Sequence, residues 1–249
     1  MLTINPKYEH LHSFVAEIPR IFLRKGREIY HLRNIIKVLE APDGTLLNVK
    51  RYHVPAPINR LVYSLGIRKP KGQRAWEYPT ILASKGIETP EPVAYIEERR
   101  CGLLGLSYFI SLQCNYGHTL YDMAEAAPDV YEPMAMAVAR LAADMHEAEV
   151  MHKDFTPGNI LWERDDSGEF HFSLVDINRM YFGPVSEKRG VLNLIRLWGP
   201  KAFTALIVKE YAHLRGFDTD SAVSMAMEAR SRFWQRYLKR HTLPFKVEI

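Results

Sequence analysis

The sequence has few of the features that mark secreted, disulfide-bonded or membrane-spanning proteins. Only two cysteines, Cys101 and Cys114, occur among 249 residues, too few for a disulfide framework or a cysteine metal site. The start, MLTINPKYEHLHSF, lacks the basic-then-apolar order of a signal peptide, and no apolar run reaches the roughly 18 residues that cross a bilayer. We therefore expect a cytoplasmic protein with reduced thiols.

Acidic residues are missing from one long stretch of the chain. Seven basic residues and no acid lie between Asp43 and Glu77, and six more basic residues lie between Glu228 and Glu248. The modest net charge of +4 hides these two concentrations of positive charge, which are typical of a protein with an anionic partner. We do not expect nucleic acid as that partner, because few aromatic residues interleave with the basic ones and no DNA- or RNA-binding motif is present.

The distribution of apolar residues predicts an α+β, bilobal fold. Two apolar runs around Pro-Asp-Gly-Thr predict a β-hairpin over residues 34–54, and helical spacing follows over 71–86. The almost wholly apolar run GLLGLSYFISLQ predicts a central strand. We expect a strand-rich lobe with one helix over residues 1–112 and a mainly helical lobe over 113–249.

The stretch MHKDFTPGNIL interrupts an apolar run with polar residues that a plain turn does not need. Asn159 precedes the first strand of a hairpin predicted over 160–175, and Asp176 follows the second strand. Antiparallel pairing brings such ends to roughly 5 Å, which delivers an amide oxygen and a carboxylate to one place. Hard oxygen ligands of this kind predict a magnesium site that serves a nucleotide. Asp154 is close enough along the chain to accept a proton from an attacking hydroxyl.

Simpler interpretations exist for each of these residues taken singly. Asp154 could cap a turn, and His152 could be a buried histidine with satisfied hydrogen bonds. The set of three residues together with the intervening hairpin favours the functional interpretation.

A second group of candidates lies upstream. Lys50 falls inside an apolar strand, where an unpaired ammonium is costly, and Glu77 on the next helix is the first acid after Asp43. We predict that the two form a pair, although an edge-strand lysine and a solvated helix glutamate would look the same in sequence. No glycine-rich phosphate loop precedes Lys50, which leaves the turn over residues 30–34 as a candidate for covering phosphates.

The order H-x-D-x-x-x-x-N, hairpin, aspartate resembles the catalytic and metal-binding segments of the protein-kinase-like fold. This resemblance implies that His152 supports the catalytic loop and that Asp154 is the catalytic base. It implies that Lys153 offsets charge on the transferred phosphate and that Asn159 and Asp176 bind magnesium.

The same resemblance implies ATP as the phosphoryl donor. Lys50, held by Glu77, would contact the α- and β-phosphates, and the adenine would lie against the connector near Gln113.

The segment after Asp176 restricts the class of molecule that can be the phosphoryl acceptor. Only INRMYFGPVS separates Asp176 from the next helical pattern, and no A-P-E sequence follows, so a peptide acceptor is not expected. The chain resembles the lipopolysaccharide core kinase family in LNVKRYHVP, INRL, ETPEPVAYIE, SYFISLQ, MHKDFTPGNIL and FSLVDINRM. That family implies phosphorylation of a Kdo or heptose hydroxyl on a glycolipid acceptor, Kdo–lipid A.

Two functional alternatives remain open at this point. A kinase of the aminoglycoside or choline type shares the loop but more often carries an acidic acceptor cleft. A pseudokinase would act as a binding module without catalysis.

The segment ARSRFWQRYLKRH could lie on the anionic inner face of the cytoplasmic membrane. We prefer the alternative in which this helix packs its aromatic residues on the lobe.

Overall fold

The chain forms two compact units, Met1–Asn115 and Tyr116–Ile249. The computed structural model describes residues 1–32 and 34–249. The turn over residues 30–34 includes Arg33, so this candidate for covering phosphates lies partly outside the described residues. The predicted lobe boundary, between 112 and 113, falls three residues before the division between the two units.

The first unit is built on a six-stranded antiparallel sheet with the strand order β1-β5-β6-β4-β3-β2. Its strands are β1 (Leu2–Ile4), β2 (Arg27–His31), β3 (Ile35–Glu40), β4 (Leu46–Tyr52), β5 (Pro92–Arg100) and β6 (Leu103–Leu112). The β3–β4 hairpin is confirmed, and Gly44 supplies the positive φ of 85° that its turn requires. The apolar run of β6 lies between β4 and β5, so the predicted central strand is confirmed.

Three α-helices accompany this sheet, where the sequence predicted one. They are α1 (His12–Ile21), α2 (Pro57–Ser64) and α3 (Lys71–Ala83). Only α3 was predicted, and it continues through Pro79. The prediction failed for α1 because it carries Pro19 in its interior, and for α2 because it is short and lies within the basic stretch. Val15 and Ile18 of α1 pack fully buried against the sheet and so belong to the core of this unit.

The second unit contains four α-helices and two small antiparallel sheets with strand orders β10-β9-β7 and β11-β8. Its strands are β7 (His118–Thr119), β8 (Val150–His152), β9 (Ile160–Arg164), β10 (Phe170–Leu174) and β11 (Met180–Phe182). Its α-helices are α4 (Pro128–Glu147), α5 (Glu187–Leu194), α6 (Lys201–Leu214) and α7 (Thr219–Leu238). The alanine-rich face of α4 is buried and contacts α6, which lets the two helices approach closely.

The last helix packs inward with one of its basic residues. Arg230 is 1% exposed; its Nε donates to Thr204 Oγ1 at 3.2 Å and its Nη2 to the Gly199 carbonyl at 3.2 Å. Its Nη1 donates to the Glu248 carbonyl. Trp234 on the same helix is also buried. The helix therefore uses these two residues for packing, in line with the alternative that we preferred.

No helix in the described part of the chain combines the length and the apolar composition needed to cross a membrane.

Candidate active site

The catalytic-loop candidate, residues 153–159, begins where β8 ends. Met180 pairs with His152 across the β8–β11 ladder, and the Lys153 amide extends that pairing with a bond to the Arg179 carbonyl at 3.0 Å. The buried Phe155 anchors the loop between its polar residues. A Cβ at Gly158 would lie 2.8 Å from the Tyr121 ring, so a larger residue there would displace that side chain. Backbone pairing and close packing thus determine where the loop begins and turns.

The predicted hairpin after this loop is confirmed and brings Asn159 and Asp176 to the same end of the ribbon. Ile160 pairs with Leu174, and the Val175 amide donates to the Asn159 carbonyl at 3.0 Å. Asn159 therefore lies opposite Val175, and Asp176 is the next residue along the strand direction.

His152 ties the loop to the strand that ends at Asp176. Its side chain is fully buried, with Nε2 3.0 Å from the Val175 carbonyl and Nδ1 accepting from the Asp154 amide at 3.1 Å. Because the amide must donate, Nδ1 carries no proton and Nε2–H donates to the carbonyl. Burial lowers the pKa of His152, which favours this neutral form.

A buried polar chain supports the loop from three helices. Asn193 on α5 donates from Nδ2 to the His152 carbonyl at 3.0 Å, and its Oδ1 lies 3.3 Å from Nε2 of His146 on α4. His146 Nδ1 lies 2.9 Å from the hydroxyl of Tyr211 on α6. Burial lowers the pKa of His146 to about 4 and raises the pKa of Tyr211 to about 12. We call Asn193, His146 and Tyr211 the support chain.

The sequence analysis missed the support chain because its members lie on three separate helices. Gly190 makes the arrangement possible, since a Cβ at that position would lie 1.9 Å from the Tyr211 hydroxyl oxygen. A glycine inside a helical pattern was the available signal, but it does not identify what packs against it.

The carboxylate of Asp154 faces two arginines that the sequence analysis also missed. Arg196 Nη2 lies 3.0 Å from Oδ1, and Arg179 Nη1 lies 3.7 Å from Oδ2. The Asp154 side chain is 22% exposed, whereas those of Arg179 and Arg196 are 50% and 38% exposed. Arg179 lies in the quoted stretch FSLVDINRM, three residues after the metal-ligand candidate Asp176, whereas Arg196 follows α5 with no sequence motif around it.

The two metal-ligand candidates have the donor atoms that magnesium prefers. Asn159 donates from Nδ2 to the Asp154 carbonyl at 2.9 Å and to Thr156 Oγ1 at 3.2 Å, so its Oδ1 is the atom suited to a metal. Asp176 adopts a left-handed conformation, with φ 54° and ψ 39°, and its Oδ1 accepts from the buried Asn178. One amide oxygen and one carboxylate fit a magnesium ion that keeps water and phosphate oxygens as its other ligands.

Lys153, between His152 and Asp154, has an exposed side chain. Its Nζ lies 5.7 Å from the centre of the Tyr181 ring. A cation–π contact at this distance is weak enough for an anionic ligand to displace it.

The three nucleotide-binding candidates belong to the first unit. Lys50 on β4 is half-buried, pairs with Ile36 and Phe109 on the neighbouring strands, and has its Nζ 5.4 Å from the Tyr52 ring centre. Its position inside a strand of the sheet agrees with the sequence.

Glu77 lies on α3 as predicted, and the structure gives each of its carboxylate oxygens a partner. Lys69 Nζ lies 2.7 Å from Oε2, and Gln73 Nε2 donates to Oε1 at 2.9 Å. The pairing of Glu77 with Lys50 stays a prediction.

Gln113 follows β6 and is bonded on both sides. Its Oε1 accepts from Asn48 Nδ2 at 2.9 Å, and its Nε2 donates to the Cys114 carbonyl at 2.8 Å. These bonds fix the side chain just before the end of the first unit at Asn115.

Two solved kinases share this architecture. The structure described as WaaP in complex with acyl carrier protein is 17% identical, with a TM-score of 0.61, and the match covers 94% of this chain and 99% of that one. Amicoumacin kinase hAmiN in complex with AMP-PNP, Ca2+ and Ami is 11% identical, with a TM-score of 0.54 and 96% of each chain covered. No curated protein sequence matches the chain. The fold is therefore the α+β protein-kinase-like fold, as the sequence predicted.

The family follows from a sequence match. The model of the lipopolysaccharide kinase (Kdo/WaaP) family matches residues 36–204, more than half of the chain. The chain belongs to this family, and it is a sugar kinase of the lipopolysaccharide core. The family match does not favour the alternatives, a soluble small-molecule kinase or a non-catalytic binding module.

Proposed function

We propose that this protein transfers the γ-phosphoryl group of ATP, with magnesium, to a hydroxyl of a Kdo or heptose residue of the inner core. The acceptor is Kdo–lipid A, reached from the cytoplasm at the inner face of the cytoplasmic membrane. One observation carries the proposal: Asn159 donates to the Asp154 carbonyl while the hairpin delivers Asp176 beside it. The candidate base and the two candidate metal ligands thus share one hydrogen-bonded framework.

Asn159 and Asp176 would hold a magnesium ion, which would supply neutralisation of charge on the phosphates. Asp154 orients the sugar hydroxyl and accepts its proton from the attacking oxygen. Arg196 and Arg179 hold the Asp154 carboxylate in place through their ion pairs. Positioning and charge neutralisation account for most of the rate enhancement in phosphoryl transfer, which agrees with a site built from so few reactive groups.

The remaining candidates act on the nucleotide and on the transferred group. Lys50 contacts the α- and β-phosphates with Glu77 as its orienting partner, and Gln113 lies at the adenine. Lys153 exchanges its contact with Tyr181 for the γ-phosphate. The complex of hAmiN with AMP-PNP supports an adenine nucleotide as the donor for this fold.

His152 serves as a support for the loop and does not transfer protons. Both of its ring nitrogens are engaged by backbone groups, and its neutral form is favoured by burial. This bonding leaves it no atom for the reaction.

Transfer of label from γ-labelled ATP to purified Kdo–lipid A, and to the same glycolipid extended by heptose, tests the proposal directly. We expect label on one of the two glycolipids with magnesium, and a loss of about 10²–10⁴-fold for Asp154→Asn. Asp166→Asn, an exposed aspartate in the β9–β10 turn, is the matched control and should retain full activity. An unchanged rate for Asp154→Asn would exclude this residue as the base, and label on neither glycolipid despite bound ATP would exclude the acceptor class.

A further inference from the structure

The short helix α2 turns its apolar face toward solvent. Ile58 is 81% exposed and Leu61 is 52% exposed. Leu65 and Ile67, which follow the helix directly, are 66% and 72% exposed. A surface helix ordinarily buries its apolar stripe, so this arrangement is the reverse of the usual one.

The opposite face of α2 is held against the sheet by polar groups. Arg60 Nε donates to the Leu104 carbonyl at 2.7 Å, and the Leu104 amide donates to Ser64 Oγ at 2.9 Å. Tyr63 on this face is 7% exposed. Because a helix turns about 100° per residue, residues 60, 63 and 64 lie opposite residues 58, 61 and 65. The anchoring bonds to β6 therefore fix the outward direction of the apolar residues.

Positive charge lies close to this apolar face along the chain. The helix lies inside the stretch between Asp43 and Glu77 that contains seven basic residues and no acid. Arg68 and Lys71, which come shortly after the helix, are both exposed.

We propose that the outer face of α2, formed by Ile58, Leu61, Leu65 and Ile67, docks on a lipid bilayer that contains anionic lipids. The apolar side chains enter the boundary between headgroups and acyl chains, and Arg68 and Lys71 meet the lipid phosphates. Exposed apolar residues next to basic residues fit an anionic bilayer, which has negatively charged headgroups at its surface and an apolar interior beneath them. The inference rests on the proposed function in one respect, since an enzyme with a glycolipid acceptor must reach that acceptor in the membrane.

This surface replaces the segment that the sequence had suggested for membrane contact. That segment lies in α7, where Arg230 and Trp234 are buried in the second unit. In α2, by contrast, Ile58 and Leu61 are exposed.

Vesicle co-sedimentation of the full-length protein, without ATP or acceptor, tests the docking surface. The triple variant Ile58→Ser, Leu61→Ser, Leu65→Ser should bind vesicles of phosphatidylcholine with phosphatidylglycerol at least about tenfold more weakly than wild type. The pair Arg68→Gln, Lys71→Gln should weaken binding by about fivefold per charge, an effect lost in high salt. The control pair Val130→Ser, Met136→Ser removes apolar residues on α4 that are 49% and 44% exposed, and it should bind like wild type. Circular dichroism confirms the fold of each variant.

A fluorescent reporter makes the depth of insertion visible. The Leu61→Trp variant should show a blue shift of its added emission with vesicles that contain phosphatidylglycerol and none with phosphatidylcholine alone. Wild-type binding by the triple variant, or no shift in the reporter, would overturn the proposal and leave the apolar face to a protein partner.

Activity assays separate this inference from the proposed function. The triple variant should phosphorylate a deacylated, water-soluble core oligosaccharide at the wild-type rate, but a vesicle-embedded acceptor more slowly. If wild type binds vesicles through α2 yet phosphorylates neither acceptor, the proposed function fails and the docking surface stands.

Discussion

The candidate catalytic loop and the candidate nucleotide-binding pair differ in how the structure holds them. The loop lies within one stretch of chain, and Asn159 donates a hydrogen bond to the Asp154 carbonyl of that same stretch. Lys50 and Glu77 lie on a strand and a helix, and Glu77 bonds to Gln73 one turn earlier on α3 and to Lys69 just before that helix. A local motif can determine its own geometry, whereas a pair on separate elements depends on how the helix is placed.

Within the candidate catalytic loop, we expect the largest effect on activity from substitutions of Asn159. Asn159→Ala removes the candidate metal-ligand oxygen together with two donated hydrogen bonds, so we expect kcat to fall by about 100-fold or more. Asn159→Asp keeps a hard oxygen but cannot donate to the Asp154 carbonyl. Steady-state kinetics across a magnesium titration should therefore show partial activity for Asn159→Asp and a raised magnesium requirement for Asn159→Ala.

Equal losses in both Asn159 variants, with no change in the magnesium requirement, would contradict a ligand role. Asn159 would then only maintain the loop.

The second prediction concerns the stability of the fold at acidic pH. Buried histidines support the loop, whereas His53 of the first unit is exposed. Burial lowers the pKa of His146 from 6.5 to about 4, so between these values the unfolded chain binds a proton that the folded protein does not. The free energy of unfolding should therefore fall as the pH drops through this window, by roughly 3 kcal/mol in all. The lowered pKa of His152 acts in the same direction.

Urea unfolding at neutral pH and at about pH 5 measures this dependence. His146→Gln should flatten it, and His53→Gln should leave it unchanged. A wild-type stability that does not change between the two conditions would argue against the neutral, buried state of His146.

The smallest effect separates the two possible partners of Glu77. If Glu77 orients Lys50, Glu77→Gln should lower kcat/KM for ATP by roughly tenfold, while Lys69→Gln should change little because an exposed ion pair contributes about 0–1 kcal/mol. Lys69 is 59% exposed in its pair with Glu77. Matching effects of the two variants would instead show that the Lys69 pair is what matters there.

Much of the second unit could be predicted from sequence because its signals are local. The hairpin over 160–175 is marked by alternating strands around Asp-Asp-Ser-Gly, and its register alone sets Asn159 beside the residues before Asp176. In the first unit, the central strand β6 could be predicted equally well from its apolar run.

The parts that escaped prediction depend on contacts between distant segments. No sequence motif near Arg196 indicates that its side chain contacts Asp154. The support chain likewise joins residues from α4, α5 and α6. Helix α2 was missed for a different reason. It is only eight residues long and lies within the basic stretch, so the sequence there resembles a basic loop.

The left-handed backbone at Asp176 limits how this protein could lose its activity by mutational drift. Asparagine and glycine adopt φ near 54° at little cost, whereas most other residues are strained there by about 1–2 kcal/mol. A descendant that abandons catalysis can replace the carboxylate with asparagine or glycine and keep its fold. Replacement by alanine or valine removes the candidate metal ligand and strains the backbone in one step, so we expect inactive relatives to carry asparagine or glycine at this position.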